Sequence, residues 1–181
     1  MNMKHRTILN SRKMVFDLGS NPSIDADMSD GFAYVEELLA TALKFSLDSL
    51  ETDPESFVKF LDAASHLRLL PLEEIDNASR HSFCLFVNLY HTLLQHAMLL
   101  SVNGPLTKKS AVNFMRTMCY EIGGDVFSLA EINTHVLRGK MSKPINPKAP
   151  YIEAPKKSSS YKHYALSYTD PRVNFILVSL H

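Results

Sequence analysis

Apolar residues recur at helical spacing through the first half of the chain, after a polar opening. The recurrence predicts helices over residues 31–49, 54–68 and 79–101. Asp53 can cap the second helix, and Pro54 can occupy its first position, where a missing N–H costs nothing. Residues 1–30 carry the turn signals NPS and DADMSD and little apolar sequence, so we expect a mobile N-terminal arm.

The third predicted helix contains a long apolar run, FCLFVNLYHTLLQHAMLL at 83–100. Asn88, His91, Gln95 and His96 interrupt this run, and each would cost on the order of a few kcal/mol in a lipid core. A buried central helix of a soluble domain accommodates these side chains better, because each can find a hydrogen-bonding partner there. We therefore predict no membrane span.

The second half of the chain predicts shorter elements. Ser128 and Glu131 match the S-x-x-E pattern of a capping box, which predicts that a helix begins there. Gly123-Gly124 separates two extended stretches, as in a hairpin. The sequence RVNFILVSL is rich in β-branched and aromatic residues and predicts a final strand. The predicted elements are a helix at 108–118, a strand at 118–122, a helix at 128–138 and a strand at 172–180.

Together these elements predict the fold class, a helix-rich α+β domain over residues 31–181. Its helices would pack around the central buried helix (about 79–101), and a small sheet would include 118–122 and 172–180. A final strand with no return partner would leave an exposed edge through which chains could associate.

Composition narrows the classes of partner. The chain has 45% apolar and 21% charged residues and a formal net charge of zero, whereas nucleic acids and anionic membranes attract basic surfaces. We expect a protein partner and no nucleic acid. The two cysteines, Cys84 and Cys119, lack a CxxC spacing, and the N-terminus lacks the apolar core of a signal peptide. These features predict free thiols and a cytoplasmic location.

Four side chains form one stripe on the central helix. Cys84, Asn88, His91 and Gln95 fall within a band of about 60° at 100° per residue. The stripe could be a polar network bonded to backbone groups, a catalytic face with Cys84 as nucleophile, or a pocket for a small ligand. A metal site is disfavoured because His91 and His96 point about 140° apart. We predict no metal and no cofactor.

Further candidates lie near the C-terminal end. Asp170 and Arg172 flank a proline that fixes the backbone, so they could form an ion pair or grip an anionic ligand. Arg138, in the last turn of its predicted helix, could reach the same place. A thiol enzyme would need Cys84 close to His135 or His181, with Asp170 behind the base.

The segments FVNLYHTLLQHA, YEIGGDVFSLAEI, VLRG and DPRVNFIL, in this order, resemble the Domain of Unknown Function 547 family from about residue 80 onward. The resemblance implies an α-rich α+β domain with no established activity, found beside leucine-zipper, glutaredoxin or DEP-type segments. The recurring positions that it implies here are Asn88, Tyr90, His91, His96, Tyr120, Gly123, Gly124, Ser128, Leu129, Arg138, Asp170, Pro171 and Arg172.

The sequence departs from the family pattern in two ways. Asn133 and Thr134 replace a Glu-His pair, with His135 one step further on, and the chain ends where the family continues. We therefore expect a domain truncated at its C-terminal end. Two functions stay open: a non-catalytic interaction or scaffolding module, which the missing Glu-His pair favours, and a papain-like or transglutaminase-like thiol hydrolase or transferase, or a degenerate relative of one.

Overall fold

The computed structural model describes residues 6–11, 30–45, 53–101, 108–142, 161 and 163–177. Helices dominate these residues and surround one small sheet, which confirms the predicted helix-rich α+β class. In chain order, the elements are β1 (Thr7–Ile8), α1 (Gly31–Ala42), α2 (Pro54–His66), 3₁₀ turns at Leu67–Leu69 and Leu72–Glu74, α3 (Arg80–Leu99), α4 (Lys108–Thr117), β2 (Met118–Ile122), β3 (Asp125–Ser128), α5 (Leu129–Glu131), a π-helical continuation of α5 (Ile132–Leu137) and α6 (Val173–Ile176).

The first two helices begin where the sequence predicted. The Asp30 carboxylate accepts hydrogen bonds from the first-turn backbone N–H groups of α1, and the Asp53 carboxylate accepts one from Ser56 N. The α1 helix ends at Ala42, earlier than predicted, because the N–H groups of Lys44 and Phe45 bond carbonyls three residues back and tighten the chain into a turn. Residues 46–49 of the predicted helix lie outside the described residues.

The α3 helix forms the centre of the core, as predicted. Phe86, Leu89 and Leu93 are completely buried, and α1 packs along this helix. The Ser79 hydroxyl accepts a hydrogen bond from Ser82 N and so starts the helix. Among the described residues, no helix combines the length and apolar character that a bilayer crossing needs.

The β2–β3 hairpin is confirmed around its Gly-Gly turn. Gly123 and Gly124 have positive φ angles of 57° and 84°, which glycine adopts without strain. A Cβ at position 123 would also lie 2.7 Å from Leu70 O, so the turn packs directly against the loop that follows α2. The predicted capping box is present, since Ser128 and Glu131 exchange hydrogen bonds at the start of α5.

The prediction of a mobile arm is wrong for residues 6–11. Thr7 and Ile8 pair in parallel with Met118 and Cys119, so the sheet order is β1–β2–β3. The short apolar TIL sequence finds a partner only through the tertiary fold, which no local signal in residues 1–30 indicated. Residues 1–5 and 12–29 lie outside the described residues.

The predicted strand at 172–180 is also wrong for its described part, because residues 173–176 are helical. Asp170 accepts a hydrogen bond from Arg172 N at 3.0 Å, and Pro171 follows it with a fixed φ, so the backbone turns before RVNFIL can extend. The sheet therefore contains 118–122 without 172–177. Residues 178–180 lie outside the described residues.

Candidate functional site

Many of the candidate residues meet around one segment, residues 170–177, which we call the C-terminal turn. Asp170 is buried and accepts hydrogen bonds from Arg172 Nε and a second guanidinium nitrogen at 2.5–3.1 Å. This hydrogen bond lowers the pKa of Asp170 and raises that of Arg172. The Arg172 guanidinium carbon lies 5.2 Å from the centre of the Phe83 ring, a cation–π distance. The DPR sequence thus folds back onto the first turn of α3.

Two further side chains hold the C-terminal turn. His91 Nε2 lies 3.1 Å from Ile176 O, and because a carbonyl only accepts, Nε2 carries the proton and donates it. Burial lowers the pKa of His91, and the bond to Ile176 O offsets part of that effect. Arg138 donates to Asn174 Oδ1 and, at 3.5 Å, to Val173 O. The structure therefore brings His91, Arg138 and the DPR sequence to one small helix.

This helix presents an aromatic side chain to solvent. Val173 and Leu177 are buried in the core, whereas Phe175 is 90% exposed and Ile176 is 38% exposed. Exposed single hydrophobic residues are common on protein surfaces. Phe175 stands out because its side chain is almost fully exposed while its N–H bonds Arg172 O at 2.9 Å and the carbonyl of the next residue, Ile176, accepts from His91.

Cys84 lies beside the same segment, on the exposed side of α3. Burial is the main cause of the raised pKa of Tyr168, and the hydrogen bond to Asp170 is the main cause of the raised pKa of Arg172. The nearby Cys84 thiol adds to both. No imidazole in the described part of the chain is hydrogen-bonded to Cys84 Sγ. His181, one of the two bases that the sequence suggested, lies outside the described residues.

The other two members of the stripe differ in their surroundings. Gln95 is half-buried and donates from Nε2 to Phe45 O at 3.2 Å, which joins α3 to the end of α1. Asn88 is also half-buried, and its backbone carbonyl accepts a bond from the Thr92 hydroxyl. The stripe runs along the rim of the core, and its side-chain bonds to neighbouring segments come from His91, to Ile176 O, and from Gln95, to Phe45 O.

Asn133 and Thr134, where the family resemblance implied a Glu-His pair, make hydrogen bonds of their own. Asn133 Oδ1 accepts a hydrogen bond from Arg138 Nε at 2.7 Å, and the Thr134 hydroxyl donates to Ala130 O. His135 stacks on Tyr161 with 5.9 Å between the ring centres, and its Nε2 is buried without a partner among the described residues. Asn133 thus orients the arginine that holds the C-terminal turn, while His135 faces a different segment.

Two further buried polar groups lie away from the C-terminal turn. His96 is 1% exposed and its Nδ1 lies 2.8 Å from the Tyr120 hydroxyl, so it connects α3 to β2. Burial lowers the pKa of His96 to about 4, and the rings of Phe57 and Phe60 stand edge-on around it. The sequence places His96 outside the polar stripe, on the apolar side of the helix, and the family resemblance includes both His96 and Tyr120. Neither signal indicated that the two side chains meet.

The second group surrounds Glu131, which is fully buried. Arg6 pairs with its Oε2, which also accepts bonds from Ser128 N and Ser128 Oγ at 2.8 Å. Burial alone would lower the pKa of Arg6, but its hydrogen bond to Cys119 and the nearby Glu131 raise it. The capping box predicted the contact between Ser128 and Glu131, while nothing local to residue 6 indicated the arginine.

Among the described residues, no three His, Cys, Asp or Glu side chains are close enough together to hold a metal ion. The side chains instead pair with one another or with backbone groups, as Asp170 and His91 do. The described geometry around the C-terminal turn therefore supplies an anchored, partly apolar surface.

The second half of the chain matches a known protein family. The model of the family described as "Protein of unknown function, DUF547" matches residues 75–181, which is more than half of the chain and contains α3, the hairpin and the C-terminal turn. No curated protein and no solved structure is significantly similar to the chain. The chain belongs to the DUF547 family.

Proposed function

We propose that this protein is a non-catalytic interaction module that binds a protein partner through the C-terminal turn. The observation that carries this proposal is the 90% exposure of Phe175 on a helix whose neighbouring residues are held by buried or hydrogen-bonded side chains. We place the module in a reducing, cytoplasmic compartment, in keeping with its two free thiols.

The surface has the composition of a binding hot spot. Aromatic and arginine side chains contribute a large share of the energy in protein interfaces, above all where a few sit close together. Phe175 and Ile176 provide apolar area, and Arg172 provides a charge that already rests on the Phe83 ring. A partner that covers Phe175 gains its burial, which is worth about 1.5–3 kcal/mol for a fully buried phenylalanine.

The surface is also preorganised. The hydrogen bonds from His91 to Ile176 O and from Arg172 to Asp170 fix the backbone on both sides of Phe175. Val173 and Leu177 fill the core beneath it. A side chain that is already held in place loses less conformational freedom on binding, so more of the contact energy appears as affinity.

The proposal is tested by crosslinking from position 175. A benzophenone analogue of phenylalanine is introduced there in the full chain, and a matched chain carries it at position 69, where Leu69 is 71% exposed on a 3₁₀ turn. We expect a discrete crosslinked protein from position 175 and none from position 69. The purified partner should then bind Phe175→Ala at least ~10-fold more weakly than the wild type, while Leu69→Ala binds normally.

The result that overturns the proposal is the same set of crosslinks from both positions, or a partner whose affinity is unchanged by Phe175→Ala. Circular dichroism and urea unfolding of each variant show whether the chain remains folded. Because the side chain of Phe175 is exposed, its truncation should leave the urea midpoint within error.

The competing hypothesis, a thiol hydrolase or transferase centred on Cys84, rests on the position of this exposed thiol five residues into α3. An activated thiolate is alkylated quickly at neutral pH, whereas an ordinary surface thiol reacts like free cysteine. We expect the ordinary rate, and Cys84→Ser should leave partner binding intact. A rate at pH 6 well above that of free cysteine would favour the enzyme instead.

A further inference from the structure

The outer edge of β2 is covered by a short segment from the other end of the chain, residues 6–11, which we call the N-terminal strap. Only Thr7 and Ile8 pair with β2 as a strand, and Leu9 N donates to Cys119 O at 2.9 Å. A two-residue ladder contributes little on its own. The strap must therefore be held mainly by its side chains.

Asn10 continues the ladder with its side chain. Its Oδ1 accepts a hydrogen bond from Glu121 N at 2.9 Å, and its Nδ2 donates to Glu121 O at 2.8 Å and to Ala64 O at 3.0 Å. The amide thus takes both backbone groups that a further strand residue would have used. Asn10 is completely buried, so these three bonds are shielded from water.

Arg6 anchors the opposite end of the strap. Its guanidinium pairs with the buried Glu131, donates to Val126 O at 3.2 Å and donates from Nε to Cys119 Sγ at 3.2 Å. Glu131 has no exposed side-chain surface, while Arg6 retains 17%. The edge of β2 therefore has a buried carboxylate, Glu131, at one end. At the other end it has the backbone N–H and C=O of Glu121, which an amide side chain can bond.

We propose that this edge is a peptide-strand site, filled within the chain by its own strap and open to the strap of a second copy in exchange. The site recognises a segment with a cation and an amide separated by three residues, of which the first two pair in parallel with β2. Each copy carries that segment, and exchange between two copies conserves every hydrogen bond, so the bound state costs little beyond association. This site is independent of the C-terminal turn and of its proposed partner.

The distribution of contacts favours local release of the strap at a lower free energy than global unfolding. Its attachment is concentrated at Arg6 and Asn10, and Thr7 and Ser11 are exposed. Contacts concentrated at a few points open as a unit, at a lower free energy than the whole domain. Cys119 reports on such opening, because it is fully buried against Arg6, whereas Cys84 is exposed and serves as an internal reference.

The first test supplies the strap as a separate molecule. A fluorescent peptide with the sequence of residues 4–12 is titrated into the full chain, and binding is followed by anisotropy. We expect the wild-type peptide to bind, the peptide carrying Asn10→Ala to bind at least ~10-fold more weakly, and a Ser11→Ala peptide to match the wild type. The same Asn10→Ala change in the full chain should strengthen binding of the wild-type peptide at least ~10-fold, because it empties the competing site.

The second copy is tested by sedimentation of the full chain. Chain exchange predicts a dimer whose fraction rises with protein concentration and falls when excess wild-type peptide is added. Absence of a dimer at every concentration, or a dimer that the peptide does not dissociate, would contradict the assignment of a second copy as partner.

A measurement on the wild-type chain alone covers the case in which Asn10→Ala does not fold. Cys119 is alkylated under native conditions in increasing urea, with Cys84 as reference. If the strap is released locally, the alkylation rate of Cys119 should depend less steeply on urea concentration than the global unfolding equilibrium does. The proposal is overturned if Cys119 reacts only with the full urea dependence of unfolding, or if the wild-type and Asn10→Ala peptides bind equally or not at all.

Discussion

The two ends of the described chain are attached to the domain in opposite ways. The N-terminal strap sets Arg6 against the buried Glu131 and places its own buried Asn10 on the backbone of Glu121. The C-terminal turn is tied down by an ion pair at the surface, in which 62% of the Arg172 side chain is exposed, and it leaves Phe175 in solvent. One polar segment completes the core, and the other holds an apolar side chain outside it.

The difference shows that polarity does not decide whether a segment packs. A polar side chain stabilises a buried position when it meets backbone groups or charges that would otherwise lose their water, as Asn10 does at the open edge of β2. At the C-terminal turn, the same kinds of side chain bond to one another near the surface, where water competes for each bond. The strap should therefore contribute much more to stability than the turn.

The largest expected effect comes from Arg6→Ala, which leaves Glu131 as an uncompensated buried charge. We expect the free energy of unfolding to fall by about 3–5 kcal/mol, measured by urea denaturation at pH 7. The double variant Arg6→Met with Glu131→Gln removes the charge as well as its partner and should recover most of the loss.

Glu55→Ala provides the matched control. Glu55 pairs with Lys59 across one turn of α2, and its side chain is 67% exposed. Loss of this surface pair should cost less than about 1 kcal/mol. If Arg6→Ala costs no more than Glu55→Ala, the strap does not stabilise the fold and the contrast between the two ends fails.

An intermediate effect is expected on the pH dependence of the free energy of unfolding. It distinguishes the buried His96 from His91 at the C-terminal turn. His96 has a pKa of about 4 in the folded chain, below its ordinary value of 6.5, because burial disfavours the imidazolium. Below pH 6.5 the unfolded chain binds a proton at His96 that the folded chain does not bind. The free energy of unfolding therefore decreases as the pH falls from 6.5 towards 4. Between pH 7 and 5 the loss is about 2 kcal/mol.

Urea unfolding at pH 7, 6 and 5 measures this loss, and His96→Gln should remove most of it even if the variant is less stable at every pH. Equal slopes for the two chains would mean that His96 is protonated in the folded state. His91 also has a lowered pKa, and its bond to Ile176 O offsets the effect of burial, so His91→Gln should change the slope less than His96→Gln does.

Apart from the surface control Glu55→Ala, the smallest effect is expected from His91→Ala, which removes one hydrogen bond to the C-terminal turn. The free energy of unfolding should fall by about 1 kcal/mol. Hydrogen exchange should accelerate at the amides of Phe175 and Leu177 and remain unchanged at Leu9, whose N–H bonds Cys119 O. Faster exchange at both ends would show that the two segments are not separately attached.

The sequence predicted the elements whose signals are local. Asp53 and Pro54 predict a helix start, which the structure confirms, and the same pair of residue types, Asp170 and Pro171, begins the C-terminal turn. The β-branched and aromatic residues of RVNFIL predict a strand there, and that prediction is wrong. Local backbone chemistry prevailed there, because a proline after an aspartate directs the chain into a turn before any strand partner is available. At the candidate site, the sequence offered an ion pair between Asp170 and Arg172 as one of two alternatives, and the structure shows that pair. The partners of His91 and Gln95 depend on segments far apart in the chain.

Local signals in the sequence account for the helix-rich class, the central helix, the Gly-Gly hairpin and the capping box, since each depends on residues within a few positions of one another. Tertiary packing accounts for the contacts of Arg6 with Glu131 and of His96 with Tyr120, and for the exposure of Phe175. These contacts join segments 24 to 125 residues apart, and no local pattern records them. Their formation depends on which faces and edges the packed helices and sheet leave open.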